Sequence, residues 1–151
     1  MTHGAAWGAL VLRVVLGVVL VMHGYAAFSL IGPRAIGGYV VRMGFPSSVA
    51  LPLAWYLIVV HTVGGALMIV GLWTRIVAVL NIPIMLCAVF LVHWPQGFYV
   101  KGVVVDATAG RAVTAGYEFA LLVLGCTVAV ALLGAGPYSL DSRRTAPGRR
   151  R

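Results

Sequence analysis

Residues 50–94 read ALPLAWYLIVVHTVGGALMIVGLWTRIVAVLNIPIMLCAVFLVHW, and Arg75 is the sole Asp, Glu, Lys or Arg in the stretch. A hydrocarbon core is crossed by about 20 apolar residues. This run therefore reads as two spans, Ala50–Trp73 and Ile76–Trp94, folded into a hairpin by a very tight turn at Trp73-Thr74-Arg75. Outward from the hairpin, Ala5–Ile31 and Gly116–Ala135 are apolar on the same scale. The expected fold is all-α: a polytopic membrane four-helix bundle, one domain over residues 1–142, followed by a basic, disordered tail at 143–151. A barrel is excluded, because the period-2 alternation it needs is absent and a lipid-exposed backbone must otherwise pair within its own helix.

Composition agrees with this reading. With 62% apolar residues and 9% charged ones, the chain suits lipid and not water. The first stretch differs from a secretory leader, since it lacks a basic start, is long, and is followed by three more spans. Placing both termini in the cytoplasm puts Arg13, Arg75, Arg143, Arg144, Arg149, Arg150 and Arg151 on that side against Arg34, Arg42, Lys101 and Arg111 on the other, seven to four. The net charge of +8 then belongs largely to a juxtamembrane tail able to sit on anionic lipid headgroups. The tail has no interleaved aromatics and no folded basic surface, so nucleic acid is not an expected partner; membrane lipids are.

Gly32-Pro33 stops the first helix, Phe45-Pro46-Ser47-Ser48 precedes the second and Pro95-Gln96-Gly97 closes the third. Ile36–Met43 reads as a short amphipathic or re-entrant segment, Val103–Val105 as extended chain and Asp106–Gly110 as a turn. Asn81 and Pro83 place a local kink in the third span.

Polar residues inside the spans are few, and an ionisable group there is a candidate site by default. His61 falls near the midplane, His23 in the outer part of the first helix, and His93 and Glu118 at the outer ends of the third and fourth. His61, Gly64, Gly65, Met68 and Gly71 share one helical stripe, and Glu118, Leu122, Gly125, Ala129 and Gly136 another. Small residues permit close helix contact, so both stripes are expected to face the bundle interior. A neutral histidine bonded to a backbone carbonyl or to Glu118 is the plain structural alternative. Arg13, Arg75 and Asp141 form a second set at the inner face, expected to be a structural charge cluster. Cys87 and Cys126 fit small apolar packing residues better than a redox disulfide. No metal site is assigned, and haem lacks paired histidines on facing spans. A transporter would show inverted repeats and broken helices.

Leu12-Arg13 to Gly17, His23-Gly24, Gly64-Gly65 to Gly71-Leu72-Trp73-Thr74-Arg75, Phe90 through Phe98 with His93-Trp94-Pro95-Gln96-Gly97, Gly116-Tyr117-Glu118 and Gly134 through Asp141 together resemble the DoxX family of small four-helix membrane proteins of bacteria and archaea. The resemblance covers nearly the whole chain. It implies an inner-membrane protein of redox association, linked in the family to thiosulfate:quinone oxidation, a terminal oxidase and thiol or oxidative-stress defence, with recurring polar sites at Arg13, His23, Arg75, His93, Glu118 and Asp141. Two positions depart from the pattern: Ala27 stands where a lysine is common and His61 where a glutamate is common. Joint loss is what an interhelical ion pair predicts, since one partner alone would strand a buried charge at about 3–5 kcal/mol.

The expectation for function is a quinone-interacting or accessory subunit of a membrane redox system. His61, His93 and Glu118 supply hydrogen bonds and a proton carrier, and His23, Tyr25 and Tyr117 contribute to binding. Tyr56 and Tyr99 add further hydroxyls. With no dinucleotide fingerprint and no CxxC pair, electrons would come from a partner redox subunit. The alternative is a non-catalytic scaffold or anchor for a redox complex.

Overall fold

The computed structural model describes residues 2–99 and 116–145; the expected extended segment at 103–105, the turn at 106–110 and the end of the tail lie outside them. Those described are helical with no strand: α1 His3–Ile31, α2 Pro33–Arg42, α3 Ser47–Val70, α4 Thr74–Gln96, α5 Glu118–Leu133 and α6 Leu140–Thr145. α1, α3 and α4 are long and apolar enough to cross a membrane, while α5 is a shorter apolar helix of 16 residues. At about 1.5 Å per residue α5 covers about 24 Å, somewhat less than a typical hydrocarbon core.

Local signals account for the helix ends. Thr2 caps α1 by accepting from the Ala5 amide at 3.3 Å. α1 finishes in a wider π turn over Ala27–Ile31 and stops at Gly32, whose φ of 88° no helix continues; Pro33 then opens α2 at a position where its missing N–H costs nothing. The hairpin turn is a Schellman closure: the Leu72 amide donates to Leu67 O (2.9 Å) and the Gly71 amide to Met68 O (3.1 Å), with Gly71 at φ 74°. Trp73 also adopts a left-handed backbone, φ 51°, which lets α4 begin one residue later.

The segment at Ile36–Met43 resolves as the amphipathic helix α2, not a re-entrant loop. Ile36, Gly37 and Val40 form its buried face, and Ile36 and Val40 join a small core with Ala27, Ala50, Ala54 and Ile58. The four apolar helices close a ring in which α1 and α4 each touch both α3 and α5. Leu16, Leu20, Met68, Val77, Met85, Val89, Val123 and Val130 fill its centre, and valines, leucines and aromatics cover the outside, as lipid contact requires.

The closest helix contact is between α1 and α3. A Cβ added to Gly17 would stand 2.8 Å from Gly65 O, and one on Gly24 would stand 2.7 Å from the Thr62 amide nitrogen and 3.0 Å from His61 Cβ. This contact sets the levels of the bundle. Gly17 pairs with Gly65 and Arg13 meets Gly71, so the first ten residues of α1 project past the hairpin turn and pack on the chain after α5: Trp7 and Tyr138 rings lie 5.2 Å apart. Both described ends of the chain therefore share one face, termed the near face below.

Candidate functional site

At the near face, Arg13 is 1% exposed, and its Nη2 donates to Tyr138 O at 2.8 Å; Nε and Nη1 have no partner among the described residues. The guanidinium fits only because residue 71 has no side chain: a Cβ there would coincide with Nη1 and lie 2.6 Å from Ser139 Cβ. Asp141 reaches the same turn from the other side. Its carboxylate accepts from the Trp73 amide (2.8 Å) and the Thr74 amide (3.0 Å), and its own amide donates to Gly71 O (2.9 Å). It thus caps the start of α4 from 67 residues away. Burial pushes this carboxyl up, but the hydrogen bonds from Thr74 and Trp73 and the charge of Arg144 outweigh it, leaving its pKa below the ordinary value of 3.8. Arg75 donates to Leu132 O at 3.2 Å, at the carbonyl end of α5, where a cation is favoured by the helix dipole. The three residues expected as an inner-face cluster meet around one turn, and each bonds backbone groups: Asp141 and Arg75 at helix ends, Arg13 in the chain that follows α5.

The interior histidine is His61. It is 6% exposed, sits in a π turn over Val60–Gly64, and its Nδ1 has no hydrogen-bond partner among the described residues. Counting from the level of Arg13 and Gly71, His61 lies about 15 Å up the bundle, close to mid-depth. His23 is ten residues beyond Arg13 and so lies at a similar level, deeper than expected, because the start of α1 lies below the hairpin turn. It is exposed on the bundle surface, with Nδ1 2.9 Å from Val19 O and its ring stacked on Phe119 at 6.0 Å. Gly24, next to His23 in the chain, abuts the Thr62 amide and the His61 Cβ.

The fourth helix corrects the sequence reading. α5 buries Ala120, Val123, Thr127 and Val130, while Leu122 is 63% exposed and Gly125 is also exposed. The stripe from Glu118 through Leu122 and Gly125 faces outward. Phase is decided by fit against α4, and Thr127 can be buried because its hydroxyl donates to Val123 O at 2.7 Å within its own helix. Gly136 is not on the helix at all, since α5 ends at Gly134, φ 79°. His61 and the Glu118 stripe consequently face different spaces.

Glu118 is half-buried at the far end of this outward face. It heads an open groove of about 470 Å³ running down α5, lined by Leu12, Phe98, Leu122, Gly125, Cys126 and Ala129. An aromatic cluster closes the groove's far end. Tyr117 stacks on Trp94 at 4.7 Å and meets Phe98 edge-on at 5.3 Å, while the Tyr117 and Glu118 amides donate to Gly97 O and Phe98 O, both at 3.0 Å. His93 precedes the stacked Trp94 in a π turn and is half-buried. Tyr25 is 55% exposed and Tyr99 70% exposed; neither lines the groove. Among the described residues no three His, Cys, Asp or Glu side chains gather as a metal-binding group, and Cys87 and Cys126 are free thiols.

Asn81, which the sequence marks as a kink, also holds a buried polar contact. It is fully buried, its Nδ2 donating to Val77 O at 2.9 Å while Oδ1 lacks a partner among the described residues, and beside it Tyr56 Oη donates across to Leu80 O at 2.6 Å. The Tyr56 bond joins the middle of α3 to α4, whereas the Asn81 bond stays within α4. A polar side chain inside an apolar span is the signal that marks such sites.

Comparison with known proteins finds no curated protein and no solved structure that matches. The family model named DoxX matches residues 8–94, more than half of the chain and the part that holds Arg13, the α1–α3 glycine contact, His61 and the hairpin turn. This all-helical membrane protein belongs to the DoxX family.

Proposed function

We propose that this membrane protein interacts with a quinone, as an accessory subunit of a membrane redox system that handles thiosulfate, thiols or oxidative stress. The observation that carries the reading is the α5 groove: an apolar channel of about 470 Å³, open on the lipid side, with the Glu118 carboxyl at its head and the Tyr117–Trp94 stack beside it. An isoprenoid-substituted ring entering from the bilayer would lay its tail along Leu122, Gly125 and Ala129 and bring its polar end to Glu118, which can exchange a proton with the far aqueous face. His23 stacks on Phe119, the residue after Glu118, and His93 precedes Trp94 at the aromatic end. Electrons come from a partner subunit. We place the protein in the inner membrane of a bacterium or archaeon, with the near face and the basic tail in the cytoplasm, as the seven-to-four arginine and lysine count favours.

Saturable binding of a short-chain quinone analogue to the purified full chain, followed by tryptophan fluorescence, tests this. Gly125→Phe, which fills the groove, and Glu118→Gln should each weaken binding about tenfold, equivalent to about 1.4 kcal/mol, and His61→Ala should weaken it less. Absence of saturable binding with helicity intact removes the quinone site and leaves the scaffold reading, in which the glycine-packed bundle serves to anchor a redox complex.

A further inference from the structure

A second pocket lies at the near face, away from the groove. It encloses about 570 Å³ between the hairpin turn and the chain that follows α5, lined by Trp73, Arg75, Leu133, Ser139, Asp141 and Arg144 among others. Its charges are unequal. Arg75 and Arg144 line it with positive charge, whereas the Asp141 carboxylate already accepts two backbone N–H groups. Behind the wall lies a third cation: Arg13 is 1% exposed, presses on Ser139 and Gly71, and keeps Nε and Nη1 without partners among the described residues. A guanidinium in that position holds its charge and raises the positive potential of the space in front of it.

One side of the pocket is apolar, formed by Trp73, Ile76, Leu133 and Ala135. Trp73 is 54% exposed, Ile76 59% and Leu133 52%, so one lip is an interfacial tryptophan with aliphatic neighbours. Depth agrees, because the pocket lies at the level of Arg13 and Gly71, where the apolar hairpin ends. A site that sets two guanidinium groups beside an aromatic-aliphatic lip matches a phosphate attached to acyl chains. From this juxtaposition we infer that the pocket formed by Arg75, Arg144 and Trp73 binds the phosphodiester headgroup of an anionic phospholipid, with its acyl chains descending past Ile76 and Leu133. The site differs from diffuse attraction by the basic tail, since it needs no residue beyond Arg144.

The test uses the full chain carrying Trp7→Phe, Trp55→Phe and Trp94→Phe, so that Trp73 is the reporter, in phosphatidylcholine nanodiscs. Brominated phosphatidylglycerol should quench Trp73 saturably and several-fold more effectively than brominated phosphatidylcholine. Arg144→Gln should reduce that preference at least threefold, and adding Arg75→Gln should abolish it. Arg75→Lys with Arg144→Lys should retain part of it, which separates lost charge from lost folding. Arg149→Gln, Arg150→Gln and Arg151→Gln together should leave it in place. Equal quenching by the two lipids overturns the inference, as does a preference that survives the Arg75 and Arg144 changes or vanishes with the tail changes alone. Complete displacement of the brominated lipid by millimolar inorganic phosphate would identify a free anion as the occupant and overturn it too.

Discussion

Replacing Gly71 with alanine would put a methyl group where the Arg13 guanidinium lies, at a backbone φ of 74° that alanine avoids. The left-handed backbone alone costs about 1–3 kcal/mol for a non-glycine residue, and displacing a buried guanidinium adds to it. Gly71→Ala is therefore expected to lower the unfolding temperature in detergent by several degrees, whereas Gly4→Ala, with open space around its Cβ position, should be close to neutral or slightly stabilising. Asp141 supports the same turn by a different route. Asp141→Ala should cost about 0.5–2 kcal/mol through loss of the α4 cap. The sign of its pH dependence follows from a folded-state pKa below 3.8: the contribution is complete above that value and is lost as pH falls through the lowered pKa. The stability difference between the native chain and Asp141→Ala should accordingly narrow below about pH 3.8. An unchanged difference down to pH 2.5 or thereabouts would show that the carboxylate's charge does not matter to the cap.

Between elements, the α1–α3 contact is a backbone contact and tolerates no side chain. Gly24→Val would meet the Thr62 amide and the His61 Cβ, and relief requires separation of the two helices at mid-depth. Loss of the folded bundle in detergent is the expected outcome, read by size-exclusion chromatography and thermal unfolding. Survival with native stability would mean that α1 and α3 are not locked there. The α3–α4 contact is polar and weaker. Tyr56→Phe removes one interhelical hydrogen bond, to Leu80 O, and should cost about 0.6 kcal/mol, the usual scale for such bonds in membranes. The glycines of the α1–α3 contact, Gly17, Gly24 and Gly65, are visible in the sequence as small residues within the spans. The same pattern misled on α5, where Gly125 and Ala129 line the outer groove, because a small residue permits close approach without requiring it.

For the whole molecule, the pairing of Trp7 with Tyr138 and of Arg13 with Tyr138 O brings the described chain ends to one face. Reporter fusions at the two termini should report the same compartment, and the cytoplasm by the charge count; opposite compartments would break the four-helix arrangement itself. Apolar length and the one charged residue between Ala50 and Trp94 determined by themselves that this protein is a bundle of membrane helices, because a backbone in hydrocarbon has almost no other way to pair its polar groups. The hairpin turn and the family were equally legible, since local backbone geometry wrote Gly71 and Trp73-Thr74-Arg75 into the chain. Hydropathy is the same on every side of a helix that has lipid around it, so it carries no order of helices and little phase. Only the tertiary packing decided that α1 lies between α3 and α5, that Glu118 looks onto an outer groove while His61 looks inward, and that Asp141 caps a helix 67 residues before it.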